Sequence, residues 1–298
     1  MSNKTAFIAI VGRPNVGKSS LLNRMVGRKI AITSNKPQTT RTRIMGVLTR
    51  GETQLVFVDT PGMHRPRTKL GEHMVSAVYS GMADVDLALM VVESQPAPGP
   101  AERSLLLRLR QDGMPTILAI NKIDLVKDKK ELLPCIQAYA DAFEFDAVVP
   151  VSARNGRGVD ALLAELEARA VESPRFFDDD ALTDQPEQTL AAEMVREGLL
   201  RVLEKEVPHG IAVAVEKFAP RADAPDLLDV EANIYCERES HKGIVIGKDG
   251  ETLKRAAAHA RRGMEEFFGC RVNLQCWVKV KEDWRNREGL LHGFGLDS

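Results

Sequence analysis

Gly12-Arg13-Pro14-Asn15-Val16-Gly17-Lys18-Ser19, followed by Ser20, fits G-x-x-x-x-G-K-S. It stands between an apolar run, Phe7–Val11, and a helical pattern, Ser19–Val26. A loop of this composition between a strand and a helix is a phosphate cradle. The two glycines permit turns that aim backbone N–H groups at phosphate oxygens, and the helix N-terminus adds partial positive charge. Lys18 is placed to reach the β- and γ-phosphates, and the Ser19 hydroxyl to ligate Mg²⁺.

Working outward, the first ~170 residues alternate short apolar runs with helical patterns. Strands are expected at Phe7–Val11, Leu55–Asp59, Leu87–Val92, Thr116–Ile120 and Ala147–Val151. Helices are expected at Ser19–Val26, Lys69–Met82, Glu102–Gln111, Leu132–Phe143 and Val159–Arg169. Apolar runs without alternation suit strands buried on both faces, so the class is α/β with a mostly parallel sheet and binding loops at the strand C-termini.

Those strand ends carry the chemistry. Asn121-Lys122-Ile123-Asp124 fits N-K-x-D after the fourth strand. The Asp124 carboxylate can accept from guanine N1–H and the N2 amino group, two donors that adenine lacks at that edge. The stem of Lys122 can cover the base, and Asn121 can tie this loop to the phosphate loop. Ser152-Ala153-Arg154 follows the last strand and can support the base edge. Asp59-Thr60-Pro61-Gly62 ends the second strand, where Asp59 can hold Mg²⁺ through water and the Gly62 N–H can meet the γ-phosphate. In the polar loop Gln38-Thr39-Thr40-Arg41, one threonine is expected to complete the Mg²⁺ shell. Thr40 is favoured and Thr39 is the alternative. The catalytic set is therefore Lys18, Thr40 and Gly62. Where many switch GTPases place a water-orienting glutamine, this chain has Met63, followed by His64. A thioether cannot orient water, so slow intrinsic hydrolysis is expected, with Asn15 as a candidate ligand for an assisting K⁺.

A second organisation begins after residue 171. Glu172–Pro186 contains Pro174, Asp178-Asp179-Asp180 and Pro186 and reads as a linker. An amphipathic helix, Gln188 to Val207, is followed by strands at Ile211–Phe218 and Leu228–Cys236, a long helix at Glu251–Phe268 and a strand at Arg271–Val280. The order expected is α-β-β-α-α-β, in an α+β domain. Ile244-Val245-Ile246-Gly247-Lys248-Asp249-Gly250 leads into the long helix through G-x-x-G, the turn with which a KH module clamps about four nucleotides. Ile244 and Ile246 can border the bases, while Gly247, Lys248, Gly250, Lys254 and Arg255 face phosphate. Asp249 is out of place there, since a carboxylate repels phosphate. Trp277 and Trp284 are read as packing residues.

Net charge over 298 residues is −1, which excludes a generically basic nucleic-acid binder. The distribution says more: Phe176–Ser240 has 6 Lys/Arg against 16 Asp/Glu, whereas His241–Arg285 has 10 against 6. The four cysteines form no C-x-x-C pair, no signal peptide is read, and no apolar run approaches the ~18–20 residues of a membrane span.

Together, Gly12–Ser19, Gln38–Arg41, Asp59–Gly62, Asn121–Asp124, Ser152–Arg154 and Ile244–Gly250 resemble the bacterial Era GTPases over nearly the whole chain. The resemblance implies a Ras-like P-loop GTPase domain at 1–171, a linker at 172–187 and a type II KH domain at 188–298. It also implies GTP/GDP and Mg²⁺ as ligands, the 3′ end of 16S rRNA as partner and a checkpoint in 30S ribosomal subunit assembly. A cytoplasmic monomer with some peripheral association with the inner membrane is expected. Two other classes fit part of the sequence: an RNA-binding protein with a structural nucleotide, and a GTPase whose basic face meets anionic lipid.

Overall fold

The computed structural model describes residues 3–296 apart from 37, 63–67, 83, 129 and 131. Met63 and His64 therefore lie outside the described residues. The elements of the first half are β1 (Lys4–Val11), α1 (Lys18–Val26), β2 (Ile44–Arg50), β3 (Thr53–Asp59), α2 (Lys69–Ser80), β4 (Leu87–Glu93), α3 (Pro100–Gln111), β5 (Thr116–Asn121), α4 (Leu132–Ala142), β6 (Ala147–Pro150), α5 (Val159–Glu167) and β7 (Val171–Glu172). Those of the second are α6 (Glu187–Val202), β8 (Ala212–Arg221), β9 (Ala224–Cys236), α7 (Glu239–Ile246), α8 (Glu251–Phe268), β10 (Arg271–Val280) and α9 (Glu288–Gly293).

The chain forms two compact units. Met1–Ala31, Thr40–Arg65 and Met74–Asp184 make the first; Ile32–Thr39, Pro66–His73 and Gln185–Ser298 make the second. In the first, the sheet order is β2-β3-β1-β4-β5-β6, with β7 paired to the start of β1. The pairs β3–β1, β1–β4, β4–β5 and β5–β6 are parallel. These central strands are buried along nearly their whole length, which is why they are continuous apolar runs in the sequence. Their C-terminal ends open onto the loops that start at Gly12, Thr60 and Lys122.

Two features differ from expectation in this unit. β2 is not among the expected strands; it is an antiparallel edge strand whose short apolar run, Ile44–Leu48, holds a glycine and whose end is partly buried at Thr49 and exposed at Arg50. The segment after β7, expected as a linker, packs on this unit. The Gln54 side chain accepts from Phe176 N (2.9 Å) and Phe177 N (3.1 Å) and donates to Phe177 O (3.0 Å). Phe176 packs edge-on against Phe7, and Val47 N donates to Leu182 O. One buried glutamine supplies the backbone partners that hold the segment.

In the second unit, β10-β9-β8 form a three-stranded sheet, with β10 parallel and β8 antiparallel to the central β9. The element order is the expected α-β-β-α-α-β, with α9 added. Met194, Leu199, Val230, Ile234, Ala256, Ala260 and Met264 share its core. The helix expected to run to Val207 stops at Val202. Leu203 turns extended (φ −94°, ψ 150°), and a short 3₁₀ turn, Val207–Gly210, follows four residues later. Trp284 is fully buried and its Nε1 donates to Gly210 O at 2.9 Å, as a packing residue should. Trp277 corrects the other expectation: it is 43% exposed.

Candidate functional site

The phosphate loop follows β1 and opens α1 as expected. Gly17 caps α1 in a left-handed conformation (φ 98°), and a Cβ there would lie 2.3 Å from Asn121 Nδ2. Only glycine admits both the turn and the approach of the N-K-x-D loop. Lys18 is buried, and its Nζ donates to Gly12 O and Arg13 O, each at 3.1 Å. Burial lowers its pKa to about 8, with the Asp59 charge acting in the opposite direction. Asp59 is also fully buried; burial raises its carboxyl to about 6 against the opposing effects of Lys18, Ser19 and Thr60. Both groups are pushed toward neutrality because the site holds more desolvated charge than it satisfies. An anionic phosphate beside Lys18 and a cation beside Asp59 would each restore the charged form.

The oxygens fit that cation. Ser19 Oγ lies 2.9 Å from Thr40 Oγ1 and donates to Asp59 Oδ2 at 2.6 Å. Asp59 Oδ1 is buried without a hydrogen-bond partner among the described residues. Hydroxyl, hydroxyl and carboxylate converge as a hard, oxygen-only donor set suited to Mg²⁺. Of the two candidate threonines, Thr39 Oγ1 donates to Lys36 O at 2.7 Å, and Thr40 Oγ1 meets Ser19 Oγ. Thr60 Oγ1 donates to Ile10 O at 2.9 Å and fixes the start of the D-T-P-G loop. Gly62 lies against Pro14, so the far end of that loop reaches the phosphate loop.

The base-recognition loops are knitted through Asn121. Its Nδ2 donates to Val16 O at 2.9 Å, and its Oδ1 accepts from Ala153 N at 3.0 Å. Lys122, in a left-handed conformation (φ 63°), donates to Asn15 O at 2.7 Å and pairs with Glu93. Asp124 Oδ1 accepts from Ser152 Oγ at 2.6 Å, and Arg154 lies 3.9 Å from Oδ2. A carboxylate fixed in this way can read two adjacent N–H groups on a base edge.

Three supporting residues escaped the sequence reading. Arg24 on α1 donates to Ala153 O (3.0 Å) and Arg154 O (2.6 Å), holding the base-edge loop from below. Buried Glu102 on α3 pairs with Arg13 Nε at 2.9 Å, and Gln95 Oε1 accepts from Arg13 Nη2 at 2.8 Å. The Arg13 side chain is thus engaged by α3, which leaves its backbone for phosphate. No local pattern marks these residues, because their partners are distant in sequence.

The second unit carries the other candidate surface. α7 ends at Ile246, and Gly247-Lys248-Asp249-Gly250 turns the chain into α8. Gly247 (φ 76°, ψ 177°) and Gly250 (φ 75°, ψ 10°) take glycine-type conformations. Asp249 sits at φ 53°. Asp is among the side chains that best tolerate the left-handed region, which accounts for a carboxylate at this turn. Ile244 is half exposed, Val245 is core, and Lys248 in the turn and Lys254, Arg255, Arg261 and Arg262 on α8 are exposed. α8 packs inward through Ala256, Ala260 and Met264, with Leu253 and Phe267 beside them.

Residues 7–122 match the family described as 50S ribosome-binding GTPase, and residues 206–285 match the KH domain. The chain is 47% identical over 295 residues to GTPase Era of Ruminiclostridium cellulolyticum, covering 99% of this chain and 98% of that one. It is 48% identical over 294 residues to GTPase Era of Clostridioides difficile, covering 99% of each. The chain belongs to the Era GTPase family. As a member of the Era family it is a GTP-hydrolysing enzyme with a Ras-like domain and a C-terminal KH domain. Two Era crystal structures match with a TM-score of 0.95 and 36% identity over 99% of this chain and 100% of theirs. One is Era in complex with MgGDPNP and nucleotides 1506–1542 of 16S ribosomal RNA; the other is an Aquifex aeolicus Era variant bound to GDP and AlF4⁻. Among the described residues, no helix is long and apolar enough to cross a membrane.

Proposed function

We propose that this chain is a GTP-driven switch that binds the 3′ end of 16S rRNA through its KH domain and assists or checks assembly of the 30S subunit. The observation that carries the reading is the co-occurrence, in one chain, of the guanine-type pocket around Asp124 and the glycine clamp at Gly247–Gly250. The relative solved with MgGDPNP and 16S nucleotides supports it. The domain division is 1–171, 172–187 and 188–298. Gly12–Ser20, with Thr60–Gly62, line the phosphates. Lys18 neutralises charge that develops in phosphoryl transfer, Ser19 and Thr40 ligate Mg²⁺, and Asp59 acts on it through water. Asn121, Lys122, Asp124 and Ser152–Arg154 hold guanine. Ile244, Ile246–Lys248, Gly250, Lys254 and Arg255 hold single-stranded RNA. The enzyme works as a cytoplasmic monomer, with peripheral association with the inner membrane.

Affinity for a short RNA from the 16S 3′ end, measured at fixed salt with a GTP analogue and with GDP, tests this reading. Tighter binding with the analogue is expected. Equal affinity in both states would favour an RNA-binding protein with a structural nucleotide, and liposome competition with RNA would favour a lipid-facing GTPase.

Hydrolysis is proposed to be slow and K⁺-assisted, through Asn15, which is held in a left-handed conformation (φ 65°) in the phosphate loop. Replacing K⁺ by Na⁺ at constant ionic strength is expected to slow turnover severalfold. An unchanged rate would remove Asn15 from that role.

A further inference from the structure

Within the second unit, two adjacent charged residues of α6 are almost wholly buried, Arg196 (2% exposed) and Glu197 (1% exposed). Burying a guanidinium and a carboxylate is costly unless each is fully engaged, so their partners reveal what they are for. Arg196 is aligned by Glu193, with Nε–Oε1 at 2.7 Å and Nη2–Oε2 at 2.5 Å, and its Nη2 also donates to the Thr39 carbonyl. Glu197 Oε1 accepts from Thr33 N (3.1 Å) and Thr33 Oγ1 (3.3 Å), while Oε2 lies 3.5 Å from His259 Nε2 on α8. The two side chains grip opposite ends of Ile32–Thr39, the part of the polar switch loop that packs with this unit.

The next residue is Thr40, whose hydroxyl meets Ser19 Oγ. The α6 grip is rigid: a Cβ on Gly198 would lie 2.4 Å from Ala256 O, so α6 and α8 pass in backbone contact where the charged pair sits. We propose that Arg196 and Glu197 are positioning residues for GTP hydrolysis, holding Thr39 and Thr33 so that Thr40 reaches the magnesium shell. This rests on the reading of Thr40 as a Mg²⁺ ligand. Arg196 supplies a charge-assisted bond to the carbonyl one residue before the ligand, and Glu197 fixes the far end so that the segment cannot slide.

Arg196→Gln and Thr40→Ala, singly and combined, provide the test in the full-length protein, with Arg196→Lys as the conservative variant. Losing a hydrogen bond from a charged donor is expected to lower kcat and raise the half-saturating Mg²⁺ for GTP-analogue binding by roughly 10- to 100-fold. GDP affinity should stay near wild type, while the unfolding midpoint should fall, because Glu193 loses its buried partner. Amide hydrogen exchange across residues 32–41 in the nucleotide-free protein should rise, and lysine should recover part of each loss. In the Thr40→Ala background, Arg196→Gln should add little, because it acts through that threonine. Full additivity, or equal loss of GDP and GTP-analogue binding, would overturn the positioning role while leaving Thr40 intact. If Thr40→Ala alone changes neither kcat nor Mg²⁺ dependence, the ligand assignment on which the proposal rests is what fails.

Discussion

Asp124→Asn should convert a guanine-selective site into one that prefers xanthine, the largest single-residue effect expected in this chain. Ser152 Oγ donates to Asp124 Oδ1 at 2.6 Å. An asparagine amide placed with its oxygen on Ser152 keeps that bond and turns its NH₂ toward the base. Guanine then meets a donor with its own N2 amino group, whereas xanthine offers a carbonyl at that carbon. A site built around buried hydrogen bonds rejects a mismatched partner by about 10⁴ where both groups stay unpaired, so GTP affinity should fall by roughly 10² to 10⁴. Affinity for xanthosine triphosphate should rise correspondingly. Arg154 contributes little to the swing, since its side chain is 82% exposed and 3.9 Å away. Competition between the two triphosphates for a fluorescent nucleotide reads the ratio directly. A variant that still prefers GTP over xanthosine triphosphate would move guanine selection from Asp124 to the backbone of Ser152–Arg154.

That prediction was available from sequence because the groups it uses are local: four consecutive residues at the end of an apolar run. The same holds for the phosphate loop and for the central parallel strands β1, β3, β4 and β5, whose burial on both faces leaves a nearly unbroken apolar signature. What sequence concealed was decided by distant partners. β2 is easily missed because its apolar run, Ile44–Leu48, is short and holds Gly46, a residue depleted in strands. Gln54 looks like an exposed strand residue until the chain returns more than 120 residues later to bond it through Phe176 and Phe177.

Arg196 and Glu197 are the sharpest case. On a helix whose pattern reads as amphipathic they belong to the polar face by composition, yet the residues from Val195 to Leu200 are all buried. A charged pair in a helix is ordinarily solvated, so nothing local separates it from a surface pair. Thr39 and Thr40 are chemically equivalent in sequence; they differ in the structure in their hydroxyl partners, Lys36 O for one and Ser19 Oγ for the other.

Gly250→Asp is the second large effect, and it separates folding from binding in a way the paired glycines do not. A Cβ on Gly250 meets nothing within 4 Å, and aspartate tolerates the left-handed region. Gly250 is also the N-cap of α8, where a carboxylate can accept from the exposed N–H groups of the first turn. The fold should therefore be kept, with an unfolding midpoint close to wild type, lowered only by the modest strain of a side chain at φ 75°, and with unchanged GTP hydrolysis in the absence of RNA. The same carboxylate occupies the helix end that phosphate would use and places a like charge beside it. RNA affinity should drop by at least 10- to 100-fold, about the energy of one or two charge-assisted bonds. Gly247 behaves differently, because its φ 76°, ψ 177° conformation belongs to glycine alone and an added Cβ would lie 2.2 Å from Thr252 Oγ1. Any substitution there must shift the turn, so Gly247→Asp should lower the unfolding midpoint as well as RNA affinity. Loss of RNA binding in Gly250→Asp with a midpoint close to wild type assigns the contact to the turn itself. Binding retained in that variant and lost only in Gly247→Asp would mean that the turn is structural and that the exposed row Lys254, Arg255, Arg261 and Arg262 carries the RNA.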